Sequence, residues 1–261
     1  MPVDADVREE LAESLYEAHE SAEPISRLTA THDLTVADAY DVQSRFIDRR
    51  LDDGASVTGH KVGLTSDGIQ EQLGVDEPDF GRLLDTMFVG GRTIPADDLI
   101  APRVEPELGF LIGEPLEPPV TYLDVLNATR SVVPVLEVID SRVRDWDIRL
   151  PDTVADNASS ALYLTGEELS PADATDLSLE GVKLYRNGEL TASGVGAAVL
   201  DHPARAVAWL ANTLADLDQR LDAGHLVLSG SLTPAVDVEP GDALTAEFTT
   251  VGSLTAHVGE D

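Results

Sequence analysis

The chain has 261 residues, 43% of them hydrophobic, no cysteine, and 49 acidic against 17 basic residues, for a formal net charge of −32 at pH 7. Such a length and hydrophobic share fit one large globular domain, or a domain with an appendage, and argue against disorder, while the missing cysteines exclude disulfides, thiolate nucleophiles and cysteine metal sites. The charge disfavours nucleic acid and anionic membranes as partners, and no apolar run or basic leader suggests a bilayer span or a secretory signal, so a cytoplasmic protein is expected.

Residues from about Val7 to Arg50 read as helical, with Leu11, Leu15 and Ala18, then Ala39, Val42, Phe46 and Ile47, at helical spacing. Thr35 can cap the second helix with Asp38 three residues on, close to a capping box, and Asp53-Gly54 ends it. After Gly54, short apolar runs alternate with glycine and proline turns. Strands are expected at Gly59–Leu64, Val104–Ile112, Val132–Ile139, Ala161–Leu164, Val182–Tyr185, Leu226–Ser229, Ala243–Thr249 and Leu254–Val258. The proline-rich stretch Gly113–Thr121 reads as a loop before a short helix. Pro203–Leu217 reads as a helix with proline at its start and Val207, Leu210, Ala211 and Leu214 on one face. The expected plan is α+β: a helical segment over residues 1–57 on a strand-rich catalytic domain over 58–261.

The acids are spread through apolar-patterned segments rather than gathered in a tail. That points to adaptation to molar salt, where the Debye length falls to about 3 Å and self-repulsion of a carboxylate surface is screened. Lys61 and Lys183 are the only lysines; the other basic residues are arginine.

In Arg103-Val104-Glu105-Pro106-Glu107-Leu108 the two glutamates share one strand face, about 7 Å apart along the chain. Carboxylates inside an apolar strand repel and are costly to bury, and a cation between them removes both penalties. Glu137 sits in a second apolar run, Val135–Ile139. Three carboxylates on two strands make an oxygen-only site for Mg²⁺ or Mn²⁺. The competing reading is a half-exposed edge strand whose acids face salty water. In Gly59-His60-Lys61-Val62-Gly63, a strand lysine between glycines suggests close backbone approach to a ligand, and a partly buried lysine is expected to have a depressed pKa suited to proton exchange. His60, on the opposite strand face, reads as packing or surface. Lys183, before an Asn187-Gly188 hairpin turn, reads as structural.

Seven segments in order, GHKVGLTS, PDFGRL, PRVEPELGFLI, VLEVIDSR, DNASSALYL, GVGAAVLDHPARAVAWLANTL and LSGSLTPAVDVEPGD, resemble the 2-keto-4-pentenoate hydratases of the fumarylacetoacetate hydrolase superfamily. The resemblance implies that superfamily's mixed β-sheet roll with an N-terminal helical segment, and a homo-oligomer. It implies Mg²⁺ or Mn²⁺ on Glu105, Glu107 and Glu137, and proton transfer by Lys61 and Asp79. It also implies that Asn157, Ser159 and Ser160 lie near the substrate; Arg103 and Arg142 are candidate partners for the substrate carboxylate, the competing reading being that they pair with surface acids. The implied substrate is a small 2-hydroxy-2,4-dienoate from aromatic meta-cleavage catabolism, hydrated to a 4-hydroxy-2-oxo acid. The 4-oxalocrotonate decarboxylases resemble the chain almost as well on the same metal site. Acylpyruvate hydrolysis would need a histidine that Asp67–Glu77 does not supply, and a non-catalytic assembly module would need no strand lysine.

Overall fold

A computed structural model describes residues 3–260, apart from Asp67, Ile69, Gln72, Leu73, Glu168, Leu169 and residues 173–175. The helical start divides into α1 (Ala5–Ser21), a short 3₁₀ turn at Leu28–Ala30, and α2 (Val36–Asp52). Asp4 caps α1, and Thr35 and Asp38 cap α2 reciprocally in a full capping box.

The strands that follow are β1 (Val57–Gly63), β2 (Asp79–Leu84), β3 (Thr93–Ile94), β4 (Arg103–Ile112), β5 (Thr129–Ile139), β6 (Ser160–Thr165), β7 (Gly181–Arg186), β8 (Glu189–Val195), β9 (Leu226–Ser231), β10 (Val236–Asp237), β11 (Ala243–Phe248) and β12 (Ser253–Val258). Between them lie α3 (Tyr122–Ala128), α4 (Leu150–Ala155) and α5 (Pro203–Asp216). β2, β3, β8, β10 and α4 are additions to the elements expected from the sequence. The Asn187-Gly188 turn joins β7 to β8, both residues having positive φ (55° and 80°) as a tight hairpin requires. Lys183 lies exposed on β7, opposite Glu247.

One sheet has seven strands in the order β2-β1-β9-β4-β5-β6, with β10 added beside β4; the other has five, β3-β12-β11-β7-β8. Even-numbered residues of β4 and β5 (Val104, Leu108, Phe110, Val132, Leu136, Val138) pack into one core with Val182, Leu184, Leu244, Ala246, Leu254 and Ala256 of the second sheet and the buried face of α5. Odd-numbered residues face the other way. Val133 and Val135 join Leu83 and Leu228 in a second core under Leu11, Leu15, Val42, Phe46 and Ile47 of the N-terminal helices. Alternation therefore hands one face of the large sheet to the second sheet and the other to α1 and α2.

The large sheet is curled. Its first and last strands, β2 and β6, touch, so side chains from β1 reach across the concave face to β5. Among the described residues no helix is long and apolar enough to cross a membrane.

Candidate active site

Glu105 stands directly opposite Glu137 in the β4–β5 register, and Glu107 lies between Val135 on β5 and Ser231 on β9. All three are odd-numbered positions on the concave face. One oxygen from each carboxylate lies within 4.8 Å of the others. Glu107 and Glu137 are buried and Glu105 is half-buried. β4 is an interior strand of its sheet, so the glutamates do not sit on an exposed edge.

The arrangement is electrostatically costly on its own. Burial first, then the Glu137 and Asp79 charges, outweigh Lys61 and Arg103 and push the Glu105 carboxyl up to about 7. Burial, with Glu137 and Glu105, likewise holds Glu107 well above the usual carboxylate range. Glu107 Oε2 accepts the Gly230 backbone N–H at 2.7 Å, and Glu137 Oε1 accepts the Ser160 hydroxyl at 2.7 Å. Glu137 Oε2 is buried with no hydrogen-bond partner among the described residues. Three converging carboxylates, one with an orphaned buried oxygen, fit a hard divalent cation with oxygen ligands.

Lys61 reaches this cluster from β1. Its Nζ lies 3.6 Å from Glu137 Oε2 and donates to the Ala158 carbonyl at 3.1 Å. Burial alone would lower its pKa, as the sequence reading expected, but the fields of Glu137, Asp79, Glu105 and Glu107 prevail and raise it above the ordinary lysine value. Asp79, the first residue of β2, pairs with Gly63 at the end of β1. Burial raises its pKa against the pull of Lys61, and its Oδ1 has no hydrogen-bond partner among the described residues.

The glycines around Lys61 make room for protein rather than for a ligand, which corrects the sequence reading. A Cβ on Gly59 would lie 1.8 Å from the Leu226 carbonyl oxygen, and one on Gly63 would lie 2.3 Å from Asp79 Oδ1. His60 is buried on the far side of β1, its ring 6.4 Å from Phe80 and 5.9 Å from His225.

Of the Asp156–Ser160 segment, only the Ser160 hydroxyl reaches the carboxylates. The Asn157 amide is taken up by the backbone of Arg82, and the Ser159 hydroxyl faces Thr153 and Asp156. Arg103 stands on the same face two residues from Glu105. It pairs with Asp237 at 2.8 Å and its guanidinium lies 4.4 Å from the Trp146 ring centre. Arg142 is buried and spent on Asp156 and on the carbonyls of Asp140, Asp156 and Ser160, with no donor turned toward the carboxylates. Sequence reasoning missed the Gly230 N–H. Its only signal is the glycine itself, needed for a φ of 99° and for contact with Thr65.

Residues 60–259 match the family described as fumarylacetoacetate (FAA) hydrolase, C-terminal. The chain belongs to the fumarylacetoacetate hydrolase family. Within that family it is 49% identical over 251 residues to the 2-keto-4-pentenoate hydratase of Paraburkholderia xenovorans, covering 95% of this chain and 93% of that one. It is 39% identical to the 2-oxo-hept-4-ene-1,7-dioate hydratase of Escherichia coli, with 95% and 96% of the two chains covered. Among solved structures, the 4-oxalocrotonate decarboxylase of Pseudomonas putida G7, complexed with magnesium and adipate, superposes with a TM-score of 0.94 at 37% identity, covering 98% of both chains.

Proposed function

We propose that this family member is a divalent-metal-dependent hydratase that adds water to a 2-hydroxy-2,4-dienoate and releases a 4-hydroxy-2-oxo acid. The convergence of Glu105, Glu107 and Glu137 beside Lys61 carries the reading, and the 49% identity to a 2-keto-4-pentenoate hydratase supports the substrate class. Glu105, Glu107 and Glu137 would hold Mg²⁺ or Mn²⁺. Such a cation supplies Lewis acidity toward the substrate carboxylate and 2-oxygen, and neutralises the field that the glutamates exert on Lys61.

The chain's own groups handle the protons. The Lys61 ammonium donates to the Ala158 carbonyl and has two further N–H bonds for the reacting side of the site. Asp79 sits beside it as a second proton carrier with an uncommitted buried oxygen. The enol oxygen gives up a proton and the terminal carbon takes one, forming an α,β-unsaturated ketone. Water then places its hydroxyl on the distal alkene carbon and its second proton on the neighbouring carbon. The net change is the gain of one water, with Lys61 and Asp79 returned to their starting states. Ser160 fixes Glu137 and stands at the substrate's edge of the site. Arg103, at the rim, is the candidate partner for a substrate carboxylate.

Decarboxylation of 4-oxalocrotonate is the second reading, favoured by the TM-score of 0.94 to such an enzyme. Incubation with 2-hydroxypentadienoate and with 4-oxalocrotonate in Mg²⁺-containing high-salt buffer, followed by product analysis, separates the two. Water addition to the first substrate supports the hydratase, and CO₂ release from the second with no hydration overturns it.

The proposal extends to a cytoplasmic, salt-adapted homo-oligomer in which residues 1–57 cover a catalytic domain over 58–261. The net charge of −32 supports the salt adaptation, and the exposed Phe88, Leu123 and Leu179 suit a contact between copies.

A further inference from the structure

Three successive residues before β6, Asn157, Ala158 and Ser159, have φ of 55°, 51° and 53°. The left-handed region is tolerated by Asn but unfavourable for Ala and Ser, so a run of three stands only where the surroundings enforce it. The Asn157 carboxamide is one enforcing contact, beside the Asp140 N–H that donates to the Ser159 carbonyl at 2.8 Å. Asn157 Oδ1 accepts the Arg82 backbone N–H at 2.8 Å and its Nδ2 donates to the Arg82 carbonyl at 2.9 Å. This two-point clamp mimics a strand pairing and fastens the turn to β2. Gly81 leaves the space for it, since a Cβ there would lie 2.4 Å from the Asn157 carbonyl oxygen. The same turn aims the Ala158 carbonyl at Lys61 Nζ, 3.1 Å away.

We infer that Asn157 is a positioning residue for Lys61. It acts through the backbone of the left-handed turn and holds the ammonium against the carboxylates without touching the substrate. The catalytic part of this statement rests on the role of Lys61 given under Proposed function; the positional part stands on the turn alone. Arg82 engages each end of the Asn157 amide once, and the residue is buried, so its remaining N–H and lone pair are turned into the protein rather than to solvent. Losing the clamp frees the turn and swings the carbonyl off Lys61, and a displacement of about 1 Å at a reacting group costs on the order of 10²-fold in rate.

The test exploits the chain's two lysines. Protein labelled with ¹⁵N-lysine gives one side-chain signal from Lys61 and one from Lys183, the latter exposed on the other sheet and serving as an internal control. In Asn157→Ala the Lys61 signal is expected to shift and lose its protection from solvent exchange while that of Lys183 stays. Turnover should fall roughly 10–100-fold with KM nearly unchanged, and Mn²⁺ affinity should be retained. Gly81→Ala, which pushes the same turn through its backbone, and Asn157→Asp, which keeps the acceptor but loses the donor, should show the same pattern if Asn157→Ala does not fold. In a Lys61→Ala background, Asn157→Ala should cost nothing further. A raised KM with unchanged turnover would mean direct substrate contact and overturn the inference, as would an unmoved Lys61 signal or a full additive loss in the double variant. If Lys61→Ala alone is fully active, the catalytic role of Lys61 fails, and the Lys61 signal still decides whether Asn157 holds the lysine.

Discussion

Lys61 and arginine differ where it matters in this site. Arginine supplies almost all positive charge elsewhere in the chain, so a need for a fixed cation alone would be met by arginine, which cannot release a proton in the working pH range. Lys61→Ala and Lys61→Arg should therefore both lose turnover by ~10²–10⁴-fold, the usual range for an acid–base group, while the bound metal is retained. Steady-state kinetics with metal analysis checks this, and near-normal turnover in Lys61→Arg would move the proton role to Asp79. His60 carries a different consequence. Burial, with help from Arg82 and His225, lowers its pKa from 6.5 to about 3, so between these values the unfolded chain binds a proton that the folded chain refuses. The stabilising contribution is complete above about pH 6.5 and is lost as pH falls toward 3. From pH 7 to pH 5 it amounts to about 2 kcal/mol. Denaturant titrations at the two pH values should show a smaller drop for His60→Phe than for the unaltered chain; equal drops would mean that the ring is not kept neutral.

Gln43 ties three elements together. From α2 it donates to the Phe80 carbonyl of β2 at 2.9 Å and to the Val154 carbonyl of α4 at 2.8 Å. Gly81 directly follows Phe80 in β2, and α4 runs through Asp156 into the Asn157 turn. Gln43→Leu leaves both buried carbonyls without that donor and should cost ~1–3 kcal/mol, seen as a melting point lower by several degrees. An unchanged melting point would show that the link is slack. The contrast between β4 and β2 shows what could be read from the sequence. Glu105, Glu107 and Glu137 were legible because carboxylates at alternate positions of apolar strands stand out against their neighbours. Asp79 is one acid among 49, and its strand, Asp-Phe-Gly-Arg-Leu-Leu, shows no alternation because both of its faces are covered. Only the likeness of the surrounding motif to a family singled it out. β8 escaped for the opposite reason: it is an exposed edge strand of largely small and polar residues. The helices α1, α2 and α5 were legible because each buries a single stripe at helical spacing.

At the scale of the molecule, the net charge of −32 and the curl of the large sheet set the conditions for function. Local ion pairs offset part of the repulsion: Arg45 and Arg49 on α2 reach Glu9 and Glu13 on α1 at 2.6–2.8 Å. Exposed pairs of this kind contribute little individually, so the bulk of the repulsion is left to solvent ions. Melting followed by circular dichroism should fall steadily from molar to millimolar salt, and an unchanged melting temperature would refute the salt dependence. The curl gathers Lys61, Asp79 and the three glutamates on one concave face, and the proposed function stands or falls on whether the glutamates hold a cation. The most direct measurement is metal content and turnover of a 2-hydroxy-2,4-dienoate before and after chelation, in the unaltered chain and in Glu107→Gln. The expected result is one divalent ion per chain, activity abolished by chelation and restored by Mg²⁺ or Mn²⁺, and weakened binding in Glu107→Gln; full turnover in excess chelator by protein free of metal would contradict it.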